Sequence, residues 1–110
     1  MTPEIFAIER EVDQLKADGK IPEAIDKMKE ALAINDEFAR GHLTLAVLYS
    51  KVEEHLKSVE HAERVVELEP HDKFNFVALS ETYRRAFEGT RDETFIQKAE
   101  DAKARAATGG

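Results

Sequence analysis

Residues 34 positions apart in this chain share size and polarity, column after column. Leu15, Tyr49 and Tyr83 form one such series, and Val12, Ala46 and Ser80 another. Met28, Ala62 and Ile96 form a third, Ala31, Val65 and Ala99 a fourth; Ala24 aligns with Ser58 and Asp36 with Pro70. A period of this length is one supersecondary unit that cannot bury its own apolar face. Units of this kind must stack, so that neighbours share a continuous core.

The spacing inside each period is helical. Thr2-Pro3-Glu4 supplies a capping hydroxyl, a proline at the first helical position and an acid near the positive end of the dipole. Ile5, Ile8, Val12 and Leu15 follow at helical spacing up to Asp18-Gly19. Ile21-Pro22-Glu23 restarts a helix whose apolar face is Ile21, Ala24, Ile25, Met28, Ala31 and Leu32, with a break at Asn35-Asp36. The third predicted helix turns Leu45, Ala46, Leu48, Tyr49 and Val52 inward. The fourth does so with Leu56, Val59, Ala62, Val65, Val66 and Leu68 before Glu69-Pro70 stops it. Asp72 is placed to cap a fifth helix carrying Phe76, Leu79, Ser80, Tyr83 and Phe87, which Glu88-Gly89-Thr90 is expected to break. The sixth runs from near Asp92 through Phe95, Ile96, Ala99 and Ala102. No stretch alternates with the period of a strand, so the fold class is all-α.

Over nearly its whole length the chain resembles the tetratricopeptide repeat family. The second unit, from Ala39, carries the match best, with Leu45, Ala46, Tyr49, Ser58, Val65 and Pro70 in the family's characteristic columns. The resemblance implies about three helix–turn–helix units stacked as a short right-handed superhelix. One domain over residues 1–107 is expected, with units near 5–38, 39–72 and 73–106 and a flexible tail at 108–110. Small residues in alternate columns allow close helix approach, and the bulky Tyr column fills the remaining space. The chain departs from the pattern in three ways. Ile8, His42 and Phe76 stand where the family favours Trp, and Glu11 stands where Leu is usual. Asp92 replaces a small residue, which predicts an offset or longer turn before the last helix. A three- or four-helix bundle is the alternative architecture.

The same resemblance implies that the first helix of each unit lines a concave groove. The columns concerned hold Phe6, Glu9, Arg10, Asp13, Lys16 and Ala17 in the first unit, and Arg40, Leu43, Thr44, Val47, Ser50 and Lys51 in the second. In the third they hold Phe74, Val77, Ala78, Glu81, Arg84 and Arg85. Phe6, Leu43, Val47, Phe74 and Val77 are apolar yet lie off the packing face, and Arg10, Arg40, Lys51, Glu81, Arg84 and Arg85 surround them. An apolar floor with charged walls suits an amphipathic helix or an extended segment with hydrophobic anchors. The competing reading is that these apolar residues pack against a neighbouring unit or the chain's own terminus. Family members that clamp the acidic C-termini of heat-shock chaperones use Lys, Asn and Arg at the positions held here by Glu9, Asp13, Thr44, Phe74 and Ala78. None of these matches, and the two acids would repel a carboxylate.

Composition narrows the function classes. A formal charge of −7 gives no cationic surface for nucleic acid, nor attraction to an anionic membrane. No stretch approaches the roughly 20 apolar residues of a spanning helix, and the acidic N-terminus is unlike a signal peptide, so a cytoplasmic protein is expected. Without cysteine there are neither disulfides nor thiolate metal sites. His55 and His61 are not on one helical face, and no two histidines have the spacing of a helical metal site, so surface histidines and one packed imidazole (His42) are expected. Ser50, Ser58 and Ser80 lack an activating base at a recognisable spacing, and Gly89 is no phosphate loop. Gly109-Gly110 lacks the β-grasp body of ubiquitin-like carriers. The sequence thus points to a protein- or peptide-binding adaptor with no catalytic residues, metal or cofactor. A self-assembling homo-oligomeric scaffold is the alternative, and a metal-binding protein or enzyme ranks third.

Overall fold

The structure, a computed structural model, describes residues 2–108. Among them are six α-helices and no strand: α1 (Pro3–Ala17), α2 (Ile21–Ile34), α3 (Ala39–Lys51), α4 (His55–Leu68), α5 (Lys73–Thr90) and α6 (Thr94–Ala107). Local chemistry sets their ends. Thr2 Oγ1 accepts the Ile5 N–H at 3.2 Å, ahead of Pro3, whose missing N–H costs nothing there. The Asp72 carboxylate accepts the Phe74 N–H at 2.9 Å and starts α5. Gly19, at φ +76°, turns the chain out of α1 in a conformation that side chains disfavour.

Each helix packs on its neighbours in the chain, and α3 also touches α5. No two of the second helices α2, α4 and α6 approach each other in this way. The stack thus brings the backbones of the first helices α3 and α5 together, though not those of α1 and α3. Its radius of gyration is 14.0 Å, against about 13 Å for a compact chain of this length, so it is only slightly elongated.

One buried cluster joins Ile5, Ile8 and Val12 of α1 and Ala24, Met28 and Ala31 of α2 to Leu45, Leu48 and Tyr49 of α3. A second joins Ala46 of α3 to Val59 and Ala62, Phe76, Leu79 and Tyr83, and Phe95 and Ala102. Helix α3 thus contributes to both clusters and ties the first helix pair to the rest. Its contact with α4 is close because the facing residues are small: Ser58, fully buried, donates from Oγ to the Ala46 carbonyl at 2.6 Å.

Three sequence expectations are corrected. Helix α5 does not break at Glu88-Gly89-Thr90 but continues to Thr90, and the left-handed turn falls on Arg91 at φ 62°. Gly89 serves a close approach instead, since a Cβ there would collide with the His55 ring at the start of α4. Next, the repeat slips in its last helix. Ile96, expected in the column of Met28 and Ala62, is 47% exposed, whereas Ala102 takes the buried place of Val65. The longer α5 and the later start of α6 produce this slip, as Asp92 had suggested. Finally, Val52 and Leu56, expected inward, are 37% and 68% exposed, because Val52 caps α3 and Leu56 precedes the buried Ser58–Val59 face of α4. Of the expected tail, Thr108 is an exposed turn residue, and Gly109 and Gly110 lie outside the described residues.

Candidate interaction surface

On α1, α3 and α5 the core-facing positions are filled by Ile5, Ile8 and Val12, by Leu45, Leu48 and Tyr49, and by Phe76, Leu79 and Tyr83. The residues between them face out. Phe74 is 70% exposed, Phe6 59%, Val77 45% and Val47 42%, while Leu43 is half-buried. A single exposed apolar residue needs no explanation, but exposed apolar residues on each of the three first helices do. Phe74 lies in the first turn of α5, where Asp72 fixes its backbone and the Lys73 ammonium stands 5.6 Å from its ring centre.

The charged residues are more ordered than the sequence suggested. Arg40 donates from Nε to Glu9 Oε2 at 2.7 Å and from Nη2 to Oε1 at 2.8 Å, a bidentate pair between α3 and α1. These bonds hold the Glu9 carboxyl below its ordinary range and raise the Arg40 guanidinium, against an opposing effect of burial. Arg40 also lies over the Phe38 ring, 5.3 Å from its centre. One expected wall cation is therefore committed to joining the first two helix pairs. A spacing of 31 residues gave no local signal of this partnership. Arg85 reaches Glu81 at 3.6 Å along one helix face, and Arg10, Lys51 and Arg84 are exposed. On α1, Glu9 and Asp13 are matched by Arg10 and Lys16, with Glu9 held by Arg40, whereas on α5 Arg84 and Arg85 outnumber Glu81.

The histidines differ from expectation in two respects, since His55, whose ring lies against Gly89, is also half-buried. His42 is buried, as its column suggested, but His61 is half-buried rather than superficial, with its Nδ1 2.9 Å from Nδ1 of His42. Among the described residues no three His, Cys, Asp or Glu side chains are grouped to hold a metal ion. Burial and the bond to Glu63 raise the Tyr83 hydroxyl well above its ordinary range, so it is a donor, at 2.6 Å. It borders a recess of about 240 Å³ in which Lys98 and Arg105 lie over aromatic rings. Among the described residues no buried side-chain nitrogen or oxygen lacks a hydrogen-bond partner, so the interior holds no orphaned polar group awaiting a ligand. No helix among them is long and apolar enough to cross a membrane.

No protein-family model matches the chain, and no curated protein matches it. Among solved structures, the crystal structure of the MamA protein is similar in fold, with a TM-score of 0.71 and 22% sequence identity. The likeness covers 96% of this chain and 57% of that one, so the chain spans little more than half of the protein it matches. At this identity the likeness concerns architecture alone. The chain has a tetratricopeptide-like helical-repeat fold, a stack of helix pairs.

Proposed function

We propose that the face formed by α1, α3 and α5 binds an amphipathic helix or extended segment of a partner protein, and that the protein is an adaptor without catalytic activity. The observation that carries this reading is the exposure of Phe6, Val47, Phe74 and Val77 on successive first helices. Apolar anchors of the partner cover these residues, and acidic side chains on the partner meet Arg84 and Arg85 at the α5 end.

The test uses peptides selected from a display library of amphipathic segments on the immobilised wild-type protein. Replacing Phe74 by Ala together with Val77 by Asp is expected to weaken the selected peptides by about 30-fold or more, the loss of a hot-spot anchor and its neighbour. A Leu56→Asp/Ile96→Asp variant, altered on the second helices, is expected to bind as the wild type does. Equal binding by the Phe74→Ala/Val77→Asp protein, or loss only in the second variant, would exclude this face.

A further inference from the structure

The contact between His42 of α3 and His61 of α4 plays no part in the interaction surface, and its geometry is specific. The ring centres are 5.2 Å apart and the two Nδ1 atoms 2.9 Å. The difference equals two ring radii, so both nitrogens lie on the line joining the rings and point at each other. That is the geometry of a hydrogen bond with one proton between two lone pairs. A chelated metal would instead draw the two lone pairs to a point off that line.

The proton positions follow from the next contact. His42 Nε2 lies 2.7 Å from the backbone carbonyl oxygen of Asp36, in the connection between α2 and α3. A carbonyl only accepts, so Nε2 carries a hydrogen and neutral His42 presents a lone pair at Nδ1. His61 must therefore donate from its Nδ1. The chain of bonds runs from α4 through the buried His42 ring to the α2–α3 connection, across the junction of the first two helix pairs.

We propose that His42 and His61 form a proton-sensitive latch, closed while one proton lies between their Nδ1 atoms and opened when both rings are protonated. A first added proton on His61 Nε2 leaves the contact intact. A second, on His42 Nδ1, sets two N–H groups face to face at hydrogen-bond distance, and the contact must separate. Acidification would then release α4 from the α2–α3 connection and loosen the first helix pair against the remainder of the stack.

The surroundings resist protonation of the closed form. Burial, then the proximity of His42, then Lys29 on α2 depress the His61 imidazole below its ordinary range, with only Glu60 acting in the other direction. Tyr49 of α3 stacks on the His61 ring at 5.6 Å, with the Lys57 ammonium over the far ring, 5.7 Å from its centre. The recess beside the pair, about 410 Å³, also presents Glu63, Arg64 and Glu67 of α4. Glu63 is engaged by Tyr83, and Arg64 and Glu67 lie 3.7 Å apart, so two of its three carboxylates are already committed. Above the unfolded histidine value near 6.5 neither state binds the extra proton, and the stabilisation is complete. Below it the unfolded chain takes up at His61 a proton that the folded chain binds only at lower pH, so stability falls as pH drops towards the depressed folded value.

The test compares urea unfolding of the wild type and a His42→Leu/His61→Phe variant at pH 7.5, 6.5, 5.5 and 5.0, a window above most carboxylate titration. The wild-type folding constant is expected to fall about tenfold per pH unit for each additional proton bound by the unfolded chain. The variant is expected to lose at least tenfold less across the series. The same pH dependence in both proteins would overturn the latch. Should the variant not fold, nitrogen chemical shifts of the wild-type rings at pH 7.5 decide. An Nε2–H tautomer for His42 with Nδ1–H for His61 supports the latch, and a protonated Nδ1 on His42 refutes it.

Discussion

Replacing Leu45 by Ala is expected to destabilise the protein by about 2–5 kcal/mol, the range for a fully enclosed leucine whose cavity cannot collapse. Leu45 has no exposed surface and sits on α3, the helix shared by both buried clusters. The loss combines the transfer energy of the removed methyl and methylene groups with the cost of the void. Set against the roughly 5–15 kcal/mol that holds a domain of this size folded, it removes a large share of the whole. A melting temperature about 10–20 °C lower follows. Two residues further along the same helix, Val47 is 42% exposed, and its replacement by Ala is expected to change stability by no more than about 0.5 kcal/mol. Urea unfolding of the two variants measures the contrast. Equal effects would mean that α3 does not present the face described.

The second large effect concerns close approach rather than bulk. Ser58 is 2% exposed, and its hydroxyl lies 2.6 Å from the Ala46 carbonyl of the facing helix. Leucine at this position has no room and is expected to push α3 and α4 apart, at a cost of about 3 kcal/mol, the upper end of the overpacking range. Alanine, which the first helix pair already carries in this column at Ala24, removes only one hydrogen-bond donor. It is expected to cost about 0.5–1 kcal/mol, because an interior helix carbonyl still has its backbone partner. Denaturation midpoints of Ser58→Leu and Ser58→Ala check the ordering. A Leu variant as stable as the Ala variant would mean that the small-residue column does not control helix spacing.

Much of this architecture was legible in the chain because it depends on local rules repeated. The Thr2 and Asp72 caps, the stop at Glu69-Pro70, and the buried Ala, Ser and Tyr columns each follow from steric and hydrogen-bonding preferences within one or two turns. What failed involved contacts between helices. Gly89 reads locally as a helix breaker, and only the His55 ring packed against it explains why the helix runs through. The three-residue slip of α6 moved Ala102 rather than Ala99 into the place of Val65, since the extended α5 delays the turn. Arg40 with Glu9 and His42 with His61 are 31 and 19 residues apart, and spacing rules written for one helix cannot register such pairs. Of the apolar residues read as lying off the packing face, Phe6, Val47, Phe74 and Val77 are exposed and Leu43 is half-buried. The charges around them were only half legible, because pairing across helices decides which remain available to a partner.

The central claim is that the first helices present the face a partner occupies. Its most direct measurement is the set of backbone amide shifts of the labelled protein on titration with a peptide selected against it. The shifts are expected to concentrate on α1, α3 and α5, around Phe6, Val47, Phe74 and Val77, with the second helices near Leu56 and Ile96 unmoved. Shifts confined to the second helices, with α1, α3 and α5 silent, would contradict it.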